Sequence, residues 1–171
     1  MSEPKFVYVT YIATTPETLW RALTEGAFTE RYWFGTRVES DWTPGAPVSF
    51  RRNGALSDSG HVLQCEPFRL LSYTFHVEFH EVFRRERPSR VTFELEPMGI
   101  EVKLTVTHDD FDPGSKVLEA VGNGWPLVLA SLKSLIETGS PLAAASAQAA
   151  ERAKEKAVAQ ARPMPPSDRK G

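Results

Sequence analysis

The chain has 171 residues, of which 41% are hydrophobic and 25% charged, and a formal net charge of −2. This is the make-up of one globular domain with room for a tail. It lacks the basic excess with which a nucleic-acid binder neutralises phosphates. The single cysteine, Cys65, excludes an internal disulfide framework and any multi-cysteine metal site.

Residues 5–12 are rich in β-branched and aromatic side chains and predict a strand. Thr15-Pro16-Glu17 predicts a helix start, with a Thr cap, Pro in the first turn and an acid beside it. Leu19, Trp20 and Leu23 share one face of that helix, Gly26 can stop it, and a second short helix is expected over 27–32. Strands follow at 48–52 and 60–66, separated by the Asn53-Gly54 turn. From Leu71 to Phe79, apolar residues alternate strictly with polar ones, the strongest period-two signal in the chain. Val91, Phe93 and Leu95 repeat the pattern, as do Ile100, Val102, Leu104 and Val106 after the Pro97-Met98-Gly99 turn. Val117, Leu118 and Val121 begin a helical stretch, with a break expected at Gly122-Asn123-Gly124. Pro126 suits the first turn of a new helix, whose stripe is Val128, Leu129, Leu132, Leu135 and Ile136. Each strand and the last helix carry one apolar face. The expected fold is therefore α+β, with a curved antiparallel sheet of about six to seven strands wrapped around a long C-terminal helix.

The composition is uneven. All eighteen aromatic residues lie at or before Trp125. Residues 140–171 hold six Lys/Arg against three Asp/Glu, a net +3, while residues 1–139 carry −5. Ten alanines fall within 143–161, which favours a helix but offers little to bury. The expected organisation is a domain over 1–139 and a helical or disordered tail over 140–171, ending in a Pro-rich stretch from Arg162 that stops any helix. No apolar run approaches the roughly 18–20 residues of a membrane helix. With no signal-peptide pattern either, the expected compartment is cytoplasmic, with no membrane span.

Several phrases resemble the helix-grip superfamily of START-like (SRPBCC) domains, in the branch named after the C-terminal domain of the activator of the Hsp90 ATPase. They are Pro16-Glu17-Thr18-Leu19-Trp20, Trp33-Phe34, and Gly60-His61-Val62-Leu63 leading to Leu71-Ser72-Tyr73-Thr74-Phe75. Val91-Thr92-Phe93-Glu94-Leu95, Leu104-Thr105-Val106-Thr107-His108 and Gly124-Trp125-Pro126 follow in the branch's order. The resemblance implies two short helices after the first strand. It also implies a cavity between sheet and long helix that holds a small hydrophobic or aromatic molecule, lipid-like or polyketide/flavonoid-like. Trp20, Trp33, Trp42, Phe50, Tyr73, Phe75, Phe93 and Trp125 are the expected ligand-binding residues. Tryptophan and tyrosine join an apolar body to a polar handle, although packing the core is an equal use for all eight.

The resemblance also raises a chaperone partner. The first strand opens near Lys5, so the separate N-terminal domain with which the eukaryotic activator grips Hsp90 is not expected here. Arg84-Arg85-Glu86-Arg87 and Arg90 form the one basic run inside the domain, expected as a solvated loop or a guide for an acidic partner.

Catalytic and metal chemistry find less support, and no cofactor is expected. His76 and His80 would lie about 13 Å apart on a strand, too far to share an ion. His108-Asp109-Asp110 reads as a loop after the last strand, and Cys65 as a small core residue. An enzyme of the cyclase, dehydratase or hydrolase kind would need an inward titratable group. The alternations place Glu78, Glu94, Glu101 and Lys103 outside, leaving only the weakly phased segments around His61 and Asp41.

Overall fold

The computed structural model describes residues 3–163. Strands β1 (Phe6–Ile12), β2 (Arg37–Ser40), β3 (Pro47–Arg52), β4 (Ala55–Glu66), β5 (Leu70–Val77), β6 (Ser89–Met98) and β7 (Glu101–Asp109) form one antiparallel sheet. Its order is β1-β7-β6-β5-β4-β3-β2, so the chain meanders from β2 to β7 and β1 closes the far edge. Helices α1 (Pro16–Thr24) and α2 (Gly26–Tyr32) follow β1, α3 (Glu81–Arg84) joins β5 to β6, and α4 (Lys116–Thr138) crosses the inner face. A short 3-10 turn, Ala143–Ala145, leads into α5 (Ala147–Ala161).

Local chemistry sets the helix ends. Thr15 caps α1, its hydroxyl accepting from the Thr18 amide. Ser115 caps α4 in the same way through the Leu118 amide. Glu86, at the end of the α3 turn, accepts from the Lys116 and Val117 amides, so a carboxylate sits where the helix dipole favours it. Gly139, at φ 84°, ends α4 in the left-handed conformation.

Helix α4 runs unbroken through Gly122, Gly124 and Pro126, where the sequence predicts a break. Pro126 removes only one rung of the ladder. Burial of Val117, Trp125, Val128, Leu129, Leu132 and Leu135 against the sheet holds the helix together across it. The region around His108 also differs from expectation. His108 and Asp109 belong to β7, and His108 alternates inward with Val102, Leu104 and Val106, fully buried.

The alanine-rich segment packs onto the body, with Ala145, Ala150, Val158 and Ala161 buried. Small side chains compensate for lack of bulk by allowing close approach. The Phe34 amide donates to the Ala145 carbonyl at 2.8 Å. A Cβ on Gly35 would lie 2.7 Å from that of Ala147. The helix ends at Ala161, and the Pro-rich stretch beyond residue 163 lies outside the described residues.

Two register shifts in β4 decide which side chains face inward. One, opposite Phe50 and Arg51, leaves the consecutive residues Ser57 and Asp58 both buried. The other lies between Val62 and Gln64, and it leaves Leu63 exposed and Cys65 half-buried. Between them, Gly60 lets β4 approach β5, where a Cβ would lie 1.7 Å from the Thr74 carbonyl oxygen.

Candidate functional site

Between the inner face of the sheet, α4 and α5 lies a cavity of about 250 Å³. Trp33, Phe75, Val77, Phe83, Trp125 and Val128 form its apolar wall, and Ala153 and Ala157 of α5 cover one side. It reaches the surface where exposed Asn123, Lys156 and Gln160 line it. Two charged groups of the sheet also line it, Arg52 of β3 and Asp58 of β4.

Asp58 is 4% exposed. One carboxylate oxygen accepts from the Ser57 hydroxyl at 2.7 Å. The other receives no hydrogen bond from any described residue. Burial disfavours the charged form and raises the pKa from its ordinary 3.8 to about 6, against the opposing pull of Arg52 and Ser57. Arg52 is half-buried and held in place. Its Nε donates to the Thr36 hydroxyl at 2.7 Å, and its guanidinium carbon lies 5.7 Å from the centre of the Phe34 ring.

The orientation of Trp125 is fixed through His108. Trp125 Nε1 donates to His108 Nδ1 at 3.0 Å. Nδ1 is therefore the bare nitrogen, so Nε2 carries the proton and donates to the Ser89 hydroxyl at 2.7 Å. Ser89 in turn donates to the Phe75 carbonyl. Burial drives the His108 pKa down to about 3, and the ring stays neutral at ordinary pH. Both its nitrogens are occupied by this chain, which ties two cavity-wall residues together.

A second histidine braces the wall from outside. His76 Nδ1 lies 2.6 Å from a Glu78 oxygen and Nε2 lies 3.0 Å from the Arg84 carbonyl. Burial opposes its positive charge, but these two acceptors prevail and raise its pKa. The contacts pin α3, whose Phe83 reaches the cavity, against β5.

With this geometry in hand, the chain can be compared with known proteins. The profile of the family described as activator of Hsp90 ATPase homolog 1-like protein matches residues 13–137. The chain belongs to this family. A Mesorhizobium loti protein of solved structure is 26% identical, with a TM-score of 0.67 over 78% of this chain and 97% of its own. An HSP90 activator from Plasmodium falciparum is 22% identical, with a TM-score of 0.65 over 80% and 97%. An Aha1 dimer from Colwellia psychrerythraea is 20% identical, with a TM-score of 0.65 over 80% and 98%. The last two likenesses concern the fold alone. No curated protein matches the chain.

The family match stops at residue 137, so α5 and its part of the cavity wall lie outside it. Of the eight aromatic residues expected to bind a ligand, Trp33, Phe75 and Trp125 line the cavity. Phe50 and Phe93 are buried behind it and touch those three through ring contacts of 5.3–5.9 Å, and Tyr73 packs on Phe50 and Phe93 at 5.5 and 5.8 Å. Trp42 joins this cluster through Tyr73, while its Nε1 donates to the Thr24 carbonyl. Trp20 stands apart, edge-on to Phe68.

Asp58 and Arg52 escaped sequence reasoning, as did the α5 residues. His61 and Asp41, whose weakly phased segments left room for an inward group, are both exposed. The available signal was the failed alternation of Leu56-Ser57-Asp58-Ser59-Gly60. His80 lies beyond β5 and caps α3 by accepting from the Val82 amide. Much of the basic run is neutralised: Arg85 pairs with Glu81, Arg87 with Asp110 and Asp112, and Arg90 with Asp109. Among the described residues no group of three or more His, Cys, Asp or Glu could hold a metal ion, and no helix is long and apolar enough to cross a membrane.

Proposed function

We propose that the protein binds a small, mostly apolar molecule in the cavity between sheet, α4 and α5, as a carrier, sensor or stress-related binding protein. The reading rests on the cavity itself: about 250 Å³ walled by Trp33, Phe75, Phe83 and Trp125 with few polar groups. A core of this aromatic density could close completely, yet here six aromatic residues border open space. A panel of lipid-like and flavonoid-like compounds in a thermal-shift assay tests it. A ligand at a hundred times its Kd adds about 2.7 kcal/mol, a rise in Tm of roughly 5–10 °C for a chain of this size. The variant Val121→Trp, which fills the cavity from α4, should abolish the rise. A panel without effect, or a rise that survives the filled cavity, would argue against the reading.

A second reading, contact with an Hsp90-type chaperone, is favoured by the family and by the structural likeness to the Plasmodium HSP90 activator. It predicts co-purification with Hsp90 and a faster Hsp90 ATPase. An unchanged ATPase rate at saturating protein would exclude it.

A further inference from the structure

The wall of the cavity is mostly apolar, so its polar exceptions decide which molecules fit. The most deeply buried exception is Asp58. Its carboxylate is 4% exposed, lines the cavity, and has one oxygen hydrogen-bonded to Ser57 and the other without a donor among the described residues. Among the described residues no fully buried side-chain oxygen lacks a partner, so this oxygen is open to the cavity, where a ligand's donor can reach it.

The surrounding charges narrow the match. Arg52, Lys154 and Lys156 also line the cavity. Arg52 is fixed by Thr36 and Phe34, and Lys154 lies 5.3 Å from the centre of the Phe79 ring. An ammonium group brought to Asp58 would meet Arg52, whose charge already acts on that carboxylate. A carboxylate brought there would meet Asp58 itself. A neutral O–H or N–H donor suffers neither repulsion. Around it, Trp33, Phe75 and Trp125 offer ring faces and edges suited to a flat aromatic body.

We propose that Asp58 is the specificity-determining residue of the cavity, selecting aromatic ligands that carry a neutral hydrogen-bond donor, such as a phenolic hydroxyl, over isosteres that lack one. The inference rests on the ligand-binding reading above and names the chemistry of that ligand. Sites built to pair a substrate hydroxyl discriminate strongly, because an analogue without it leaves a buried polar group unpaired. A pocket that recognised only shape would discriminate weakly.

The test uses two probes of similar shape, 2-naphthol and 2-methoxynaphthalene. The first donates a hydrogen bond; the second can only accept one. Dissociation constants are measured on the full chain by calorimetry at pH 7.5, where naphthol is neutral. Wild-type protein should bind 2-naphthol at least about tenfold more tightly than the methyl ether, the scale of one hydrogen bond to a charged group. In Asp58→Asn, which keeps an acceptor for Ser57 but adds a donor and loses the charge, the preference should fall below about threefold. The ether, which can accept from the new donor, should bind no more weakly than to the wild type. Equal affinity of the two probes for the wild type overturns the assignment of Asp58 and leaves the cavity reading standing. So does a preference that survives in Asp58→Asn. Binding of neither probe counts against the cavity reading and this inference together. The wild-type comparison needs no variant, so equal affinities overturn the assignment even if Asp58→Asn does not fold.

Discussion

Replacing Asp58 by Asn should stabilise the protein at neutral pH and leave the stability much less changed in acid. The carboxyl's pKa rises from 3.8 to about 6 in the fold. Between those values the native state binds a proton that the unfolded chain releases. The stability contributed by the neutral carboxyl is thus fully present below pH 3.8 and lost as pH rises through about 6. At 1.36 kcal/mol per tenfold change in proton affinity, ionised Asp58 costs the fold on the order of 3 kcal/mol above pH 6. That figure is net of Arg52 and Ser57, which already favour the charge. Asparagine carries no charge to bury and still accepts from Ser57. Urea unfolding of both proteins at pH 4.5 and pH 7.5 reads the effect. The gain from Asp58→Asn should grow between the two by on the order of 2–3 kcal/mol, with roughly 5–10 °C in Tm to match. A gain that is the same at both pH values, or a wild type more stable than Asp58→Asn at pH 7.5, would refute the argument that burial dominates at this site. A group retained at such a cost fits a role in binding, because functional sites commonly trade stability for use.

Three further outcomes follow from the packing. Gly60→Ala drives a Cβ to 1.7 Å from the Thr74 carbonyl oxygen, so β4 and β5 must separate; a loss of more than about 3 kcal/mol, or no cooperative melt by circular dichroism, is expected. Gly35→Ala presses on Ala147 at 2.7 Å and must hold φ +69°; it should cost about 1–2 kcal/mol and speed amide exchange across α5 while leaving β6 and β7 protected. His108 should remain the neutral Nε2–H tautomer from pH 8 to pH 5 in nitrogen-15 spectra. Because its pKa falls to about 3, this ring adds stability above pH 6.5 that fades as pH drops towards 3.

The fold was legible because its elements carry clean periodicity. The alternation from Leu71 to Val77 and the stripe from Val128 to Leu135 each expose one apolar face, and the sheet and α4 bury those faces against each other. Punctuation was read less well. Gly122, Gly124 and Pro126 weaken a helix locally, but burial of Val117 and Val128 on either side of the weak point, and of Trp125 within it, outweighs one missing hydrogen bond. The cavity was legible only as a set of aromatic candidates. Trp33, Phe75 and Trp125 differ from Phe50 and Phe93 by position around one ring cluster, which spacing along a strand does not encode. Asp58 was hidden because a register shift in β4 turns two consecutive residues inward, where alternation permits one. The α5 wall was hidden because alanine buries little per residue and its packing depends on Gly35, more than a hundred residues away.

The claim that this cavity receives a ligand is tested most directly by isotope-filtered nuclear Overhauser spectroscopy on the full chain with 2-naphthol. Cross-peaks from the naphthol ring protons to the methyl groups of Val77, Ala120, Val128 and Ala157 are expected, all four residues being part of the cavity wall. Saturable binding with cross-peaks only to methyl groups outside that wall, or no cross-peaks at saturating naphthol, would contradict it.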